Sequence, residues 1–130
     1  MTPILRTIEL EFTILEFHEN FVVSMVRENV VLSKKQINDL IDACSGYYEG
    51  KKFVYISNRI NNYNVDPTVY INVNKRKNLA GIAIVSEKTS ALNMAQFEKN
   101  FSKIPFEIFL ELEDAINWTE KILKNKKAGL

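Results

Sequence analysis

Phe53-Val54-Tyr55-Ile56-Ser57 and Ala80-Gly81-Ile82-Ala83-Ile84-Val85-Ser86 decide the fold. Both runs are short and apolar, and neither alternates apolar with polar residues. That pattern belongs to strands covered on both faces, as the central strands of a parallel sheet are. Each run opens onto a polar loop followed by a helix signal. The reading is an α/β domain with strands and helices in alternation.

Upstream, Ile8, Leu10, Phe12 and Ile14 fall on one face and Glu9, Glu11 and Thr13 on the other, so Ile8 to Phe17 reads as one strand with a wet face. His18-Glu19-Asn20 is a short polar loop, and Phe21-Val22-Val23-Ser24-Met25-Val26 completes a hairpin. Ser33 and Gln36 have capping-box spacing. Ile37, Leu40, Ile41 and Cys44 then recur at helical spacing, and Gly46 or Gly50 closes the helix.

Between the two central runs, Asp66-Pro67 reads as an N-cap followed by proline in the first turn. The residues beyond it are ambiguous. Val69, Ile71 and Val73 alternate as in a strand, while Val65, Val69 and Val73 repeat every four residues. The Asp-Pro start and the crossover between parallel strands favour helix over 68–78. Thr89 or Ser90 caps a third helix with Met94, Phe97 and Phe101 on its stripe and Leu92 and Ala95 beside it. Pro105 stops it. Phe106 to Phe109 is a brief strand, and Glu111 to Leu123 is the last helix. Glu113 and Asp114 suit the positive end of its dipole.

The expected order is β-β-α-β-α-β-α-β-α. It forms a five-stranded, mostly parallel sheet with an antiparallel edge strand. One domain spans 1–130, with a core at about 8–124 and a frayed tail at 124–130.

Composition narrows the function. At 46% hydrophobic and 25% charged residues the chain is an ordinary globular one, neither disordered nor membrane-embedded. The net charge of +1 supplies no global field for nucleic acid or an anionic membrane, so neither is an expected partner. The basic run Lys75-Arg76-Lys77 reads as a solvated helix end. A single histidine, His18, excludes a multi-histidine metal site within one chain, and it reads as a surface turn residue. The single cysteine, Cys44, excludes an internal disulfide and reads as a buried structural thiol. This fits a cytoplasmic setting. No targeting segment is visible, and no apolar stretch approaches the roughly 18 residues of a membrane span. No phosphate loop, dinucleotide fingerprint, Gly-x-Ser-x-Gly or metal-ligand spacing occurs, so neither a cofactor nor a catalytic residue is assigned.

Val54-Tyr55-Ile56-Ser57-Asn58-Arg59, Leu79-Ala80-Gly81-Ile82-Ala83-Ile84-Val85 and Phe109-Leu110-Glu111-Leu112-Glu113-Asp114-Ala115-Ile116-Asn117-Trp118 together resemble the STAS superfamily, the sulfate-transporter and anti-sigma-factor-antagonist domains. The resemblance is to its divergent bacterial, Sec14-like small members and spans roughly residues 8–124. It implies a βα superhelix with helices mainly on one side of the sheet. It also implies a phosphorylatable serine after the third strand, whose phosphate breaks binding to a partner kinase. The Asp-Ser-Ser-Gly motif of that serine is missing here. Ser57 and Thr68 are the hydroxyls nearby, without the family's surroundings.

Ligands of open α/β sheets sit outside the carboxyl ends of the strands. The candidate binding residues there are Arg59, Tyr63, Asp66, Thr68, Ser86, Lys88 and Thr89. Arg59 suits an anion, and the helix starts at Asp66 and Thr89 add amides. Capping and turn formation account for the same residue types. With helices on one side, Leu15, Phe17, Val22 and Val26 are expected on a second sheet face that needs cover, inviting a second copy or an apolar ligand. Two functions follow. One is a non-enzymatic regulatory domain that docks a protein or itself as a homodimer. The other is a carrier or sensor of a small apolar or anionic ligand.

Overall fold

A computed structural model describes residues 3–128, with side chains to Lys124. Its elements are β1 (Arg6–Glu9), β2 (Thr13–Phe17), β3 (Phe21–Val26), β4 (Val31–Leu32), α1 (Lys34–Tyr48), β5 (Phe53–Asn58) and β6 (Asn64–Val65). A 3-10 turn (Pro67–Val69) then leads into α2 (Tyr70–Val73), β7 (Leu79–Val85), α3 (Thr89–Lys99), β8 (Phe106–Phe109) and α4 (Leu112–Ala128).

The main sheet has six strands in the order β1-β2-β3-β5-β7-β8. Strands β3, β5, β7 and β8 are mutually parallel, and β1 and β2 extend the sheet antiparallel at one side. The α/β, mostly parallel architecture expected from the two central runs is present, with one strand more than expected. The extra strand arises because Ile8 to Phe17 is two strands. The apolar parity changes within it, from even positions (Ile8, Leu10, Phe12) to odd ones (Leu15, Phe17). A straight strand would put Leu15 and Phe17 in water. A reversal closed by the Leu10 amide on the Thr13 carbonyl (2.8 Å) brings Ile8 opposite Leu15 on one face.

Three helical segments cover one face of the sheet. Leu15, Phe17, Val22, Phe53, Tyr55, Ile82 and Ile84 pack there against Leu40, Ile41 and Cys44 of α1, Val69 and Val73 of the crossover, and Ala95 of α3. Leu15, Phe17, Val22 and Val26 therefore belong to this helix-covered core and not to an uncovered second face. The other face belongs to α4, whose Ala115, Ile116, Trp118 and Ile122 meet Val54, Ile56, Ala83 and Val85. A side chain at Gly81 would come within 3.0 Å of the Trp118 ring, so α4 approaches β7 closely only because that residue is glycine.

Local signals explain the helix ends. The Ser33 hydroxyl accepts from the Gln36 amide and the Gln36 side chain from the Ser33 amide, the capping box expected for α1. The helix passes through Gly46 and ends at Glu49 in the left-handed region (φ 48°), ahead of Gly50 (φ 86°). In the crossover, the Asp66 carboxylate accepts from the Thr68 amide with Pro67 in the first turn. The ambiguity over 68–78 resolves as helical, but only to Val73. The closing helix runs past Leu123 to Ala128, and Gly129 and Leu130 lie outside the described residues.

Three further expectations fail. His18 is buried: its ring stacks on Phe21 with centroids 4.2 Å apart, its carbonyl accepts from Tyr48, and its Nδ1 has no partner. In α3 the inward residues are Ala95 and Glu98, while Phe97 and Phe101 are 56% and 41% exposed and pack on each other. Lys88 occupies the N-cap with no side-chain cap, so neither Thr89 nor Ser90 plays that part.

Candidate functional site at the carboxyl edge

Alternation along β5 sends Phe53, Tyr55 and Ser57 toward the helical side, and Arg59 follows just beyond the strand. Its backbone amide donates to the Val85 carbonyl (2.8 Å), which fixes it between β5 and β7. Its guanidinium then points beneath α3. Nη1 donates to Glu98 Oε2 (2.6 Å), Nη2 to Glu98 Oε1 (2.8 Å) and Nε to Ser57 Oγ (3.2 Å). Tyr70 of α2 adds its hydroxyl to Glu98 Oε1 (2.7 Å), and Ser57 Oγ and the Tyr63 hydroxyl lie 2.8 Å apart. The Tyr63 ring stands 5.4 Å from the guanidinium carbon, in cation–π range. The Arg59 and Glu98 side chains are 3% and 1% exposed.

A forked, doubly hydrogen-bonded pair is the arrangement that tolerates such burial. It also explains the rotation of α3. A buried guanidinium requires a carboxylate, and Glu98 shares a face with Ala95 three residues before it. Phe97 is thereby turned outward. Burial works against the Arg59 charge, but Tyr63 and Glu98 more than offset it, so its proton is held more tightly than usual. Burial raises the tyrosines too. Tyr63 is pushed up despite Arg59, and Tyr70 is pushed well up by burial and by the Glu98 carboxylate.

The network borders a small cavity of about 40 Å³, otherwise walled mainly by apolar side chains such as Ile41, Val69 and Ile84. That is room for about one water molecule. Outside it lies an open cleft of about 630 Å³, lined by Asn29, Asn61, Asn62, Asn64, Ser90 and Met94 with Arg59 and Tyr63 at its base. A neighbouring cleft of about 480 Å³ runs between Ile60, Ser86 to Lys88, and Leu110.

The expected residues divide into three groups. Arg59 and Tyr63 share the buried network. Ser86 and Lys88 adjoin it. The Ser86 hydroxyl donates to the Arg59 carbonyl (3.4 Å) and accepts from the Lys88 amide (3.1 Å), and Lys88 Nζ reaches the Ile60 carbonyl (3.0 Å). Asp66 and Thr68 are bound to each other, the Asp66 carboxylate accepting from the Thr68 amide and hydroxyl, which lower its pKa in that order. Thr89 is exposed in the first turn of α3. The anion that Arg59 binds is Glu98. Sequence reading missed Glu98 and Tyr70. The available signal was a carboxylate one turn from Ala95, on a helix following an arginine at the mouth of a central strand.

Among the described residues, no group of three or more His, Cys, Asp or Glu side chains could hold a metal ion, and no helix is long and apolar enough to cross a membrane.

Comparison with known structures places this architecture. The chain is similar to an uncharacterized protein of the DUF3478 family with a SpoIIAA-like fold from Shewanella loihica PV-4. The TM-score is 0.54 at 11% identity, over 92% of this chain and 95% of that one. No protein-family model matches the chain, and no curated protein matches it. The fold is thus SpoIIAA-like.

Proposed function

We propose that this chain is a non-enzymatic, STAS-like regulatory domain of a bacterial cytoplasm that docks a protein partner through the carboxyl edge of its sheet. The observation that carries the reading is the Arg59–Glu98–Tyr70 network. The strongest acid–base groups at the edge are spent on one another and shielded from water. A catalytic base or nucleophile must be within reach of substrate. The network is instead a rigid floor beneath an open, largely uncharged rim of asparagine and serine, which suits surface recognition. The SpoIIAA-like fold agrees with that role by analogy.

Switching by the serine of the resemblance is not part of the proposal. Ser57 is buried and bonded to Tyr63 and Arg59, and the exposed Thr68 hydroxyl is held by Asp66. A carrier of an apolar ligand is disfavoured by the size of the apolar cavity, about 40 Å³, far below the few hundred Å³ that ligand pockets need.

Affinity capture from a bacterial extract tests the reading, with Asn62→Arg/Ser90→Arg as the rim variant. A partner, or a second copy of the chain, should be held by the native protein and lost from the variant at unchanged thermal stability. Equal capture by both proteins would move the docking surface elsewhere. A strict monomer that holds nothing would overturn the proposal.

A further inference from the structure

The opposite edge of the sheet, where the parallel strands begin, carries a second site that the docking role does not use. The loop before β5 and the loop before β7 meet there. The Phe53 amide donates to the Asn78 carbonyl (3.0 Å), and Lys52 Nζ donates to the Lys77 carbonyl. Between the loops lies an open cavity of about 330 Å³ lined by Ser45, Gly50, Lys52, Lys77 and Asn78. Its lining residues include two lysines and an asparagine and no acidic residue. Of the acids near it in the chain, Asp42 is paired with Arg76 (2.7 Å) in an adjoining cleft, and Glu49, the exposed C-cap of α1, is not among the lining residues. Ser45 is part of the wall, but its hydroxyl does not reach the cavity surface: it is shielded from water and has no hydrogen-bond partner, an arrangement proteins seldom leave unexplained. Gly50 adopts φ 86°, which lets the loop turn tightly at the rim without a side chain filling it.

The geometry points to an oxyanion site of the phosphate-monoester class. A tetrahedral dianion offers strong acceptor oxygens to the two ammonium groups and to the Asn78 amide, and such charge-assisted hydrogen bonds are the strong ones. Rotation of the Ser45 side chain would give its hydroxyl an acceptor. Lys52 is already anchored on a backbone carbonyl, so little freedom is lost on binding. The chain's overall charge of +1 makes such a site a local feature and not an effect of general basicity.

Amide NMR titration with inorganic phosphate, at ionic strength held constant with chloride, tests it. The amides of residues 50–52 and 77–78 should shift with one shared saturation curve. Lys52→Ala/Lys77→Ala should weaken binding about tenfold or more, as expected for losing charged donors. Lys34→Ala/Lys35→Ala, the same charge loss at the other edge, should titrate like the native chain. Glycerol phosphate and phosphatidic-acid vesicles separate the sources: occupancy by the former marks a soluble ester, and occupancy by the vesicles alone marks a lipid headgroup. No localised shift with any of the three probes would overturn the site, as would equal binding by the two lysine variants. Because partner capture reads the carboxyl edge, failure of either proposal leaves the other standing.

Discussion

The two ends of the parallel strands handle charge in opposite ways. At the carboxyl edge Arg59 and Glu98 are drawn inside, forked together and sealed by Tyr63 and Tyr70. At the amino edge Lys52 and Lys77 stay in the open around a surface cavity. A buried pair is held by geometry, and removing half of it strands a charge. An exposed cation costs the fold almost nothing and remains available to a ligand. The first edge is therefore structural in its depth, and the proposed docking falls to its rim. The second contributes little to stability and is free for binding.

The sharpest way to break this contrast is Glu98→Ala. It leaves Arg59 charged in a dry interior and Tyr70 without its acceptor, and should cost about 3–5 kcal/mol in denaturant unfolding. Replacing both partners with apolar residues, Arg59→Met/Glu98→Leu, should recover most of that loss, since such exchanges are often neutral or stabilising. If Glu98→Ala unfolds like the native chain, the pair is not buried as described and the proposed floor of the docking rim disappears.

Which parts of this arrangement were legible depends on the range of the interactions. The central strands were readable because Phe53 to Ser57 and Ala80 to Ser86 are buried on both faces, and a continuous apolar run encodes that directly. The Ser33–Gln36 box and the Asp66–Pro67 start were readable because each acts within three residues. The reversal at Leu10 to Phe12 left only a parity change, which the good alternation before it concealed. The orientation of α3 was not local at all. Phe97 is the better core residue by hydropathy, but Glu98 is turned inward by Arg59, thirty-nine residues away in sequence. His18 was misread for a similar reason, since its burial depends on Tyr48 and Phe21 closing over a turn of polar composition. Of the candidate site, Arg59 and Tyr63 were found as residue types, but their partner was not. The expectation of an external anion followed from that omission.

A second measurement sharpens the carboxyl edge through pH. Tyr63 and Tyr70 are held protonated in the folded chain beyond the ordinary tyrosine value of 10.0, while the unfolded chain titrates near it. The folded state then binds the extra protons. Stability contributed by the neutral phenols is fully present below pH 10 and falls as pH rises above it. Each tyrosine should contribute a slope of about 1.4 kcal/mol per pH unit in that window. Tyr70→Phe should remove one such increment from the alkaline limb while also losing its hydrogen bond to Glu98 at neutral pH. Cys44, which burial alone pushes up to about 12, adds to the loss from the ordinary thiol value of 9.0 upward. It should also resist alkylation until the chain unfolds. An alkaline limb of equal slope with and without the Tyr70 hydroxyl would mean that this phenol is not sealed against Glu98.

The amino edge should give the smallest effect, and its smallness is the point. Lys52→Ala/Lys77→Ala removes exposed side chains that make no ion pair among the described residues, so unfolding free energy should move by no more than about 0.5 kcal/mol. The sign should favour the variant slightly at low salt, because Lys51 and Lys75 lie close by in sequence and like charges repel. That gain should fade as the Debye length shrinks to about 8 Å near physiological ionic strength. The Arg59–Glu98 contribution should hold across the same salt range, because both side chains are almost wholly buried and so little screened. If instead the lysine variant loses stability by an amount that salt does not screen, Lys52 is acting as a structural clamp on the Lys77 carbonyl. The two edges would then differ in degree and no longer in kind.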